Sequence, residues 1–144
     1  MNRKPLILAI DDTPVNLKTL VAALSDDYEL QIATSGAKGL EYAMASAPDL
    51  ILLDIMMPVM DGYEVCRRLK AESRTRNIPV IFVTALSESE AEASGLELGA
   101  VDYLTKPINL PIAKRRIHNH IEREQMRKIV EMQRDELERL AHTD

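Results

Sequence analysis

Residues 50–62 read Leu50-Ile-Leu-Leu-Asp54-Ile-Met-Met-Pro-Val-Met-Asp-Gly62, an aliphatic run that ends on a carboxylate and passes into a turn. Four consecutive aliphatic side chains leave no polar face, so the run fits a parallel strand covered on both sides. Leu6–Ile10 upstream and Val80–Val83 downstream have the same character and complete a set of central strands. Tyr28–Ala33 alternates instead, with Leu30 and Ile32 apolar and Glu29 and Gln31 polar, which suits an edge strand. Val101–Leu104 is a fifth, weaker candidate.

Helical stripes fill the intervals. Leu17, Leu20, Val21 and Leu24 form one; Leu40, Ala43, Met44 and Ala47 a second; Val65, Cys66 and Leu69 a third. Thr13 before Pro14 reads as an N-cap with proline in the first turn. Ser87 with Glu90 gives a capping box for a fourth helix over Glu88–Leu98, thinly apolar and stopped by Gly99. Strand and helix therefore alternate, which predicts an α/β domain with a parallel sheet and helices on both faces. In such a sheet ligands collect at the carboxyl ends of the strands.

From Asn109 a fifth helical pattern runs to the end of the chain, more than the domain needs. Ile112, Ile117 and Ile121 can cover the sheet. Beyond them Val130 and Leu137 fall seven apart, as do Met126, Gln133 and Leu140, a short heptad seam that raises a homodimer through this helix. The expected division is a domain over 1–121 and a helical extension or coiled-coil linker over 122–144.

Composition narrows the function. The chain has 144 residues and a net charge of -5, and the acidity belongs to residues 1–109, with 10 basic and 16 acidic side chains against 8 and 7 in 110–144. An acidic body with one Phe and no Trp is a poor surface for nucleic acid or anionic membrane, so neither is expected as a partner. Cys66 is the only cysteine and falls in an apolar pattern, so a buried, reduced thiol and a cytoplasmic location are expected. No apolar run approaches membrane-spanning length.

The chemistry lies where the strands end. Asp11 and Asp12 follow the first, Asp54 the third, Thr84 ends the fourth and Lys106 follows the fifth. Each has an ordinary explanation alone: a capping acid, a β-branched strand residue, a solvated lysine before a turn. Together, on the functional edge of one sheet, they describe a site. Three carboxylates in one pocket repel each other and favour proton uptake or a hard divalent cation, of which Mg²⁺ suits oxygen ligands and phosphate best.

Asp11-Asp12, Asp54-Ile-Met-Met-Pro-Val-Met-Asp-Gly62, Ile78-Pro-Val-Ile-Phe-Val-Thr-Ala85 and Gly99-Ala-Val-Asp-Tyr-Leu-Thr-Lys-Pro107 resemble, in order and spacing, the receiver domains of two-component response regulators over about residues 4–121. The resemblance implies a flavodoxin-like, doubly wound sheet of strand order 2-1-3-4-5. It makes Asp54 the aspartate that accepts a phosphoryl group from a sensor histidine kinase or phosphotransfer protein. It implies Mg²⁺ held by Asp12 directly, Asp11 mainly through water, Asp54 and the backbone carbonyl of Met56, and a cis Lys106-Pro107 bond. Lys106, the Thr84 hydroxyl and the Ala85 amide would hold the phosphoryl oxygens, and Thr84 with Tyr103 would form the switch that reshapes the surface of the fourth helix, fifth strand and fifth helix. Met56 and Leu86 occupy the positions that tune phosphoryl lifetime; neither can hydrogen-bond an attacking water, so slow self-dephosphorylation is expected. Beyond self-phosphorylation and its reversal, no enzymatic turnover is expected of this chain.

A haloacid-dehalogenase-type phosphohydrolase shares an aspartate nucleophile, Mg²⁺ and a lysine. It needs a second acid two residues after the nucleophile, where this chain has Met56, and a cap domain that the chain lacks. A flavin binder of the same fold needs a phosphate cradle after the first strand, where two acids stand. A receiver fold without phosphorylation would not need all five site residues. The terminal Leu140-Ala-His-Thr-Asp144 resembles the junction before the catalytic domain of receiver-linked diguanylate cyclases, which implies such an output. Other outputs, or a stand-alone receiver with a docking tail, fit the same helix.

Overall fold

The computed structural model describes residues 3–85 and 97–142. Its five strands are β1 (Leu6–Ile10), β2 (Glu29–Ala33), β3 (Leu50–Asp54), β4 (Val80–Thr84) and β5 (Asp102–Thr105), and its helices are α1 (Pro14–Leu24), α2 (Gly36–Ser46), α3 (Gly62–Ala71) and a C-terminal helix, Leu110–Ala141. All pairings are parallel and the order is β2-β1-β3-β4-β5. This is the doubly wound, flavodoxin-like sheet that the alternation and the resemblance imply.

The aliphatic runs sort by parity, as side chains alternating across a sheet must. Leu8, Ile10, Ile51, Leu53, Val80 and Phe82 pack on one face with Ala43 of α2 and Val65, Cys66 and Leu69 of α3. Ile7, Ala9, Leu50, Leu52, Ile81 and Val83 pack on the other with Leu17, Leu20 and Leu24 of α1 and Ala113, Ile117 and Ile121 of the C-terminal helix. Each Val, Leu, Ile or Phe among them contributes about 1.5–3 kcal/mol by leaving water, and each Ala less. Both faces are covered, so the strands need no polar side. Tyr63 meets Phe82 edge to face at 5.6 Å, an aromatic contact between α3 and β4. Cys66 is buried and free, as expected.

Four local readings change. Ala47, expected in the apolar stripe of the second helix, instead caps α2 in the left-handed conformation at φ 46° and is exposed. Pro14 opens α1 as expected, but the Thr13 side chain makes no capping bond; its backbone N–H instead donates to Asp11 Oδ1 at 2.8 Å. The edge strand β2 pairs with β1, and of its two apolar alternating residues Leu30 packs against the core cluster that holds Leu17, Leu20 and Leu24 of α1, whereas Ile32 is exposed. The fifth strand begins at Asp102, and Val101 is exposed.

The expected fourth helix lies almost wholly outside the described residues, with its Ser87–Glu90 capping pattern and Leu86. Glu97 and Leu98 are helical, and Gly99 follows at φ 90°, the left-handed conformation in which a helix stops. Among the described residues, no helix is long and apolar enough to cross a membrane.

Candidate functional site

Register brings the polar strand ends together. Ile10 pairs with both Ala33 and Leu53, Asp54 with Val83, and Thr84 with Thr105. Ladder-like bonds continue past the strands: Asp11 N–H donates to Ala33 O at 3.0 Å, Ile55 N–H to Val83 O at 3.2 Å and Lys106 N–H to Thr84 O at 2.8 Å. The sheet itself thus fixes the backbone that carries Asp11, Asp54 and Lys106.

Asp11, Asp12 and Asp54 each place a carboxylate oxygen within 4.8 Å of the others. Asp11 and Asp54 are buried, whereas Asp12 is exposed at the mouth. Asp11 is held on both oxygens, by the Thr13 N–H and by Asn16 Nδ2 at 3.2 Å. Lys106 Nζ donates to Asp54 Oδ1 at 3.1 Å, joined by the Met56 N–H at 3.4 Å. Burial pushes the Asp54 carboxyl above the ordinary carboxylate range, with Asp11 adding to the rise, while Lys106 and the Met56 N–H pull it down.

The loop after Asp54 is built for closeness. Gly62 N–H donates to Ile55 O at 2.8 Å. A Cβ at Gly62 would lie 2.4 Å from Asp54 O and 2.7 Å from Ile55 Cα, so only glycine lets the start of α3 close against the strand end. Asp61 caps α3 by accepting from Glu64 N–H at 2.9 Å. Met56 and Val59 project into solvent at the rim.

The remaining site residues also reach this edge: Thr84 is buried at the end of β4, Ala85 follows it, and Lys106 precedes Pro107 through a cis bond. Tyr103 lies in β5, half-buried against the α2–α3 side of the core. Arg116 of the C-terminal helix covers its ring at 5.7 Å from the centroid and donates to its carbonyl at 2.6 Å. Asp102 joins the same helix, 3.0 Å from His120 and 3.7 Å from Arg116.

Sequence reasoning did not find this link or the Asn16 brace. Arg116 and His120 lie four apart and so share a helix face, a signal that points to a common partner without saying which strand supplies it.

An all-oxygen set of three carboxylates fits a hard divalent cation such as Mg²⁺. The arrangement can bind a cation and present a lysine-neutralised carboxylate to an electrophile.

A family model of the response regulator receiver domain matches residues 7–122. A protein from Vibrio cholerae named as a probable cyclic di-GMP phosphodiesterase is 43% identical over 132 residues, which is 92% of this chain and 30% of that protein. Response regulator PleD of Caulobacter vibrioides is 48% identical over 104 residues, 72% of this chain and 23% of PleD. The chain thus spans less than a third of either relative. Among solved structures, the receiver domain of the sensor histidine kinase PA1611 from Pseudomonas aeruginosa, which holds a magnesium ion in its active-site cleft, aligns with a TM-score of 0.76 and 30% identity over 83% of this chain and 99% of that one. Sheet order, acidic cleft and sequence agree, and the chain belongs to the response regulator receiver domain family.

Proposed function

We propose that this chain is a phosphoacceptor of two-component signalling that takes a phosphoryl group from a histidine kinase or phosphotransfer protein onto Asp54. The observation that carries this is the Asp54 carboxylate, buried beside Asp11 and Asp12 with Lys106 on one oxygen. A carboxylate raised in basicity by burial is the better nucleophile, and Lys106 offsets the repulsion between it and an incoming phosphate. An Asp54 oxygen forms the new bond to phosphorus as the bond to the donor's imidazole nitrogen breaks, and the imidazole keeps that electron pair. As charge shifts on the phosphoryl oxygens, Lys106, the Thr84 hydroxyl and the Ala85 amide hold them. Asp11, Asp12, Asp54 and the Met56 carbonyl would hold Mg²⁺, which when bound neutralises carboxylate and phosphoryl charge.

Thr84 and Tyr103 are the switch in this reading. Tyr103 is tied through Arg116 to the helix that leaves the domain, so a change of its position has a direct mechanical outlet. The stretch beyond Ile121 is then a linker to an output, and a diguanylate cyclase fits the terminal Leu140-Ala-His-Thr-Asp144. A phosphodiesterase output is the second reading, favoured by a 132-residue alignment that is longer than the receiver match itself. The setting proposed for all of these is the cytoplasm.

Incubation with acetyl phosphate and Mg²⁺ is expected to add one phosphoryl group to the intact mass of the wild type and none to Asp54→Ala. After the donor is removed the adduct should decay slowly, since Met56 and Leu86 cannot position water. Equal gain by both proteins would remove Asp54 from its role.

A further inference from the structure

Thr13 caps α1, Pro14 is its first residue, and Asn16 stands in its first turn. A polar side chain at that place commonly turns back to bond the capping residue. Here Thr13 makes no side-chain capping bond, and Asn16 reaches past it to the site. Its Nδ2 donates to Asp11 Oδ2 at 3.2 Å. The direction follows from helix geometry, since Cα–Cβ bonds tilt toward the N-terminus and carry a first-turn side chain over the residues before the helix. The backbone beneath is tied down as well, with the Asn16 N–H donating to Thr13 O at 3.1 Å.

Asp11 is therefore held from two sides while only 4% exposed, by the Thr13 N–H on Oδ1 and by Asn16 on Oδ2. A carboxylate offers about four acceptor sites over its two oxygens. One donor on each oxygen fixes the carboxylate plane and leaves about one further site apiece. Asp12 stands beside it under no such restraint: it is exposed, and its side chain accepts no hydrogen bond among the described residues. The two neighbouring acids are thus prepared differently. Asp12 is free to turn toward a cation, whereas Asp11 can bring both oxygens to one only by giving up its bonds.

That difference separates the common hard cations. Mg²⁺ is small, demands octahedral geometry and keeps several waters, through which a fixed carboxylate can act. Ca²⁺ takes about 6–8 oxygens in a looser shell and accepts carboxylates that swing in with both oxygens. A neutral donor suits the place, because a lysine there would set its own charge in competition with the cation and an acid would repel Asp11.

We infer that Asn16 is a positioning residue that selects Mg²⁺ over Ca²⁺ by holding Asp11 back from direct, two-oxygen coordination. The inference rests on the reading of the acidic cleft as the cation site of a phosphoacceptor. Asn16 acts on the cation only through Asp11.

Amide chemical shifts of the full chain, followed by NMR during separate Mg²⁺ and Ca²⁺ titrations without phosphodonor, read both affinities. Asn16→Ala lets a displaceable water take the place of the amide, and Asn16→Leu keeps the size of the side chain without the donor. Far-UV circular dichroism checks the fold of each. In both variants Mg²⁺ affinity should fall about tenfold, the usual loss when a metal ligand is freed from the group that orients it. Ca²⁺, able to recruit the released Asp11, should lose less than about threefold or gain, so the ratio of the two dissociation constants moves by about threefold or more. Equal losses of both cations in the folded variants would reduce Asn16 to a structural brace and overturn the inference. A wild type that binds neither cation would instead overturn the reading of the cleft, and the inference with it.

Discussion

Asp54 is buried beside a second carboxylate with a lysine on one oxygen, and these influences do not cancel: its carboxyl sits above the ordinary range. The folded state therefore keeps the proton over a window in which the unfolded chain has lost it. Stability falls as pH rises through that window, from the ordinary carboxylate range to the raised value, and the ionised form carries the full cost above it. With metal removed by EDTA, Asp54→Asn should be more stable than wild type at pH 7, and the advantage should vanish as pH falls below the ordinary carboxylate range. A stability difference in urea titrations that stays constant across pH would show that ionisation is not its source. Gly62 matters for another reason, since a methyl group there meets the Asp54 carbonyl and the Ile55 Cα. Gly62→Ala should cost about 1–3 kcal/mol of unfolding free energy, read from urea melts; a cost under about 0.5 kcal/mol would mean the loop gives way freely. The motif around Asp54 is plain in the sequence, but this contact joins two backbones across a turn, and no spacing rule reports how closely they approach.

At the level of elements, unbroken aliphatic runs announced β1, β3 and β4 because both sheet faces are covered, and any other placement would leave apolar side chains in water. The edge strand was legible as an edge, but Ile32 was not legible as exposed, since alternation gives the face and not whether anything covers it. The same limit hid the tie from Asp102 to Arg116 and His120, which joins residues 14 and more positions apart. The C-terminal helix has two regimes, a docked part through Ile121 and a projecting part beyond it. Ile117 is fully buried, so Ile117→Ala should cost about 2–5 kcal/mol. Ile129 is about half exposed, and Ile129→Ala should stay within about 0.5 kcal/mol at concentrations where the chain is monomeric. Chemical denaturation of both variants checks the contrast, and similar costs would mean that the two parts of the helix do not differ as their burial implies.

For the whole molecule the question is whether the acidic cleft and the projecting helix are energetically coupled. A physical route exists in the sequence of contacts from Lys106 along β5 to Tyr103, then through Arg116 to the first turns of the helix. Adjacency alone does not establish coupling; a shift in equilibrium does. The heptad seam beyond Ile121 raises pairing with a second copy. If phosphorylation of Asp54 favours one setting of Tyr103 and that setting changes how two helices meet, the dissociation constant of such a pair must change between the two forms. By linkage, pairing must change the free energy of phosphorylation by the same factor. Coupling of the usual 1–3 kcal/mol corresponds to about 5–150-fold. Sedimentation with acetyl phosphate and Mg²⁺ should therefore shift the wild-type dissociation constant by about fivefold or more, with Asp54→Ala unmoved under the same conditions. A fully phosphorylated wild type whose constant stays within about twofold would separate the two devices. The helix would then be a fixed tether, and the phosphorylated surface would act by docking to a partner.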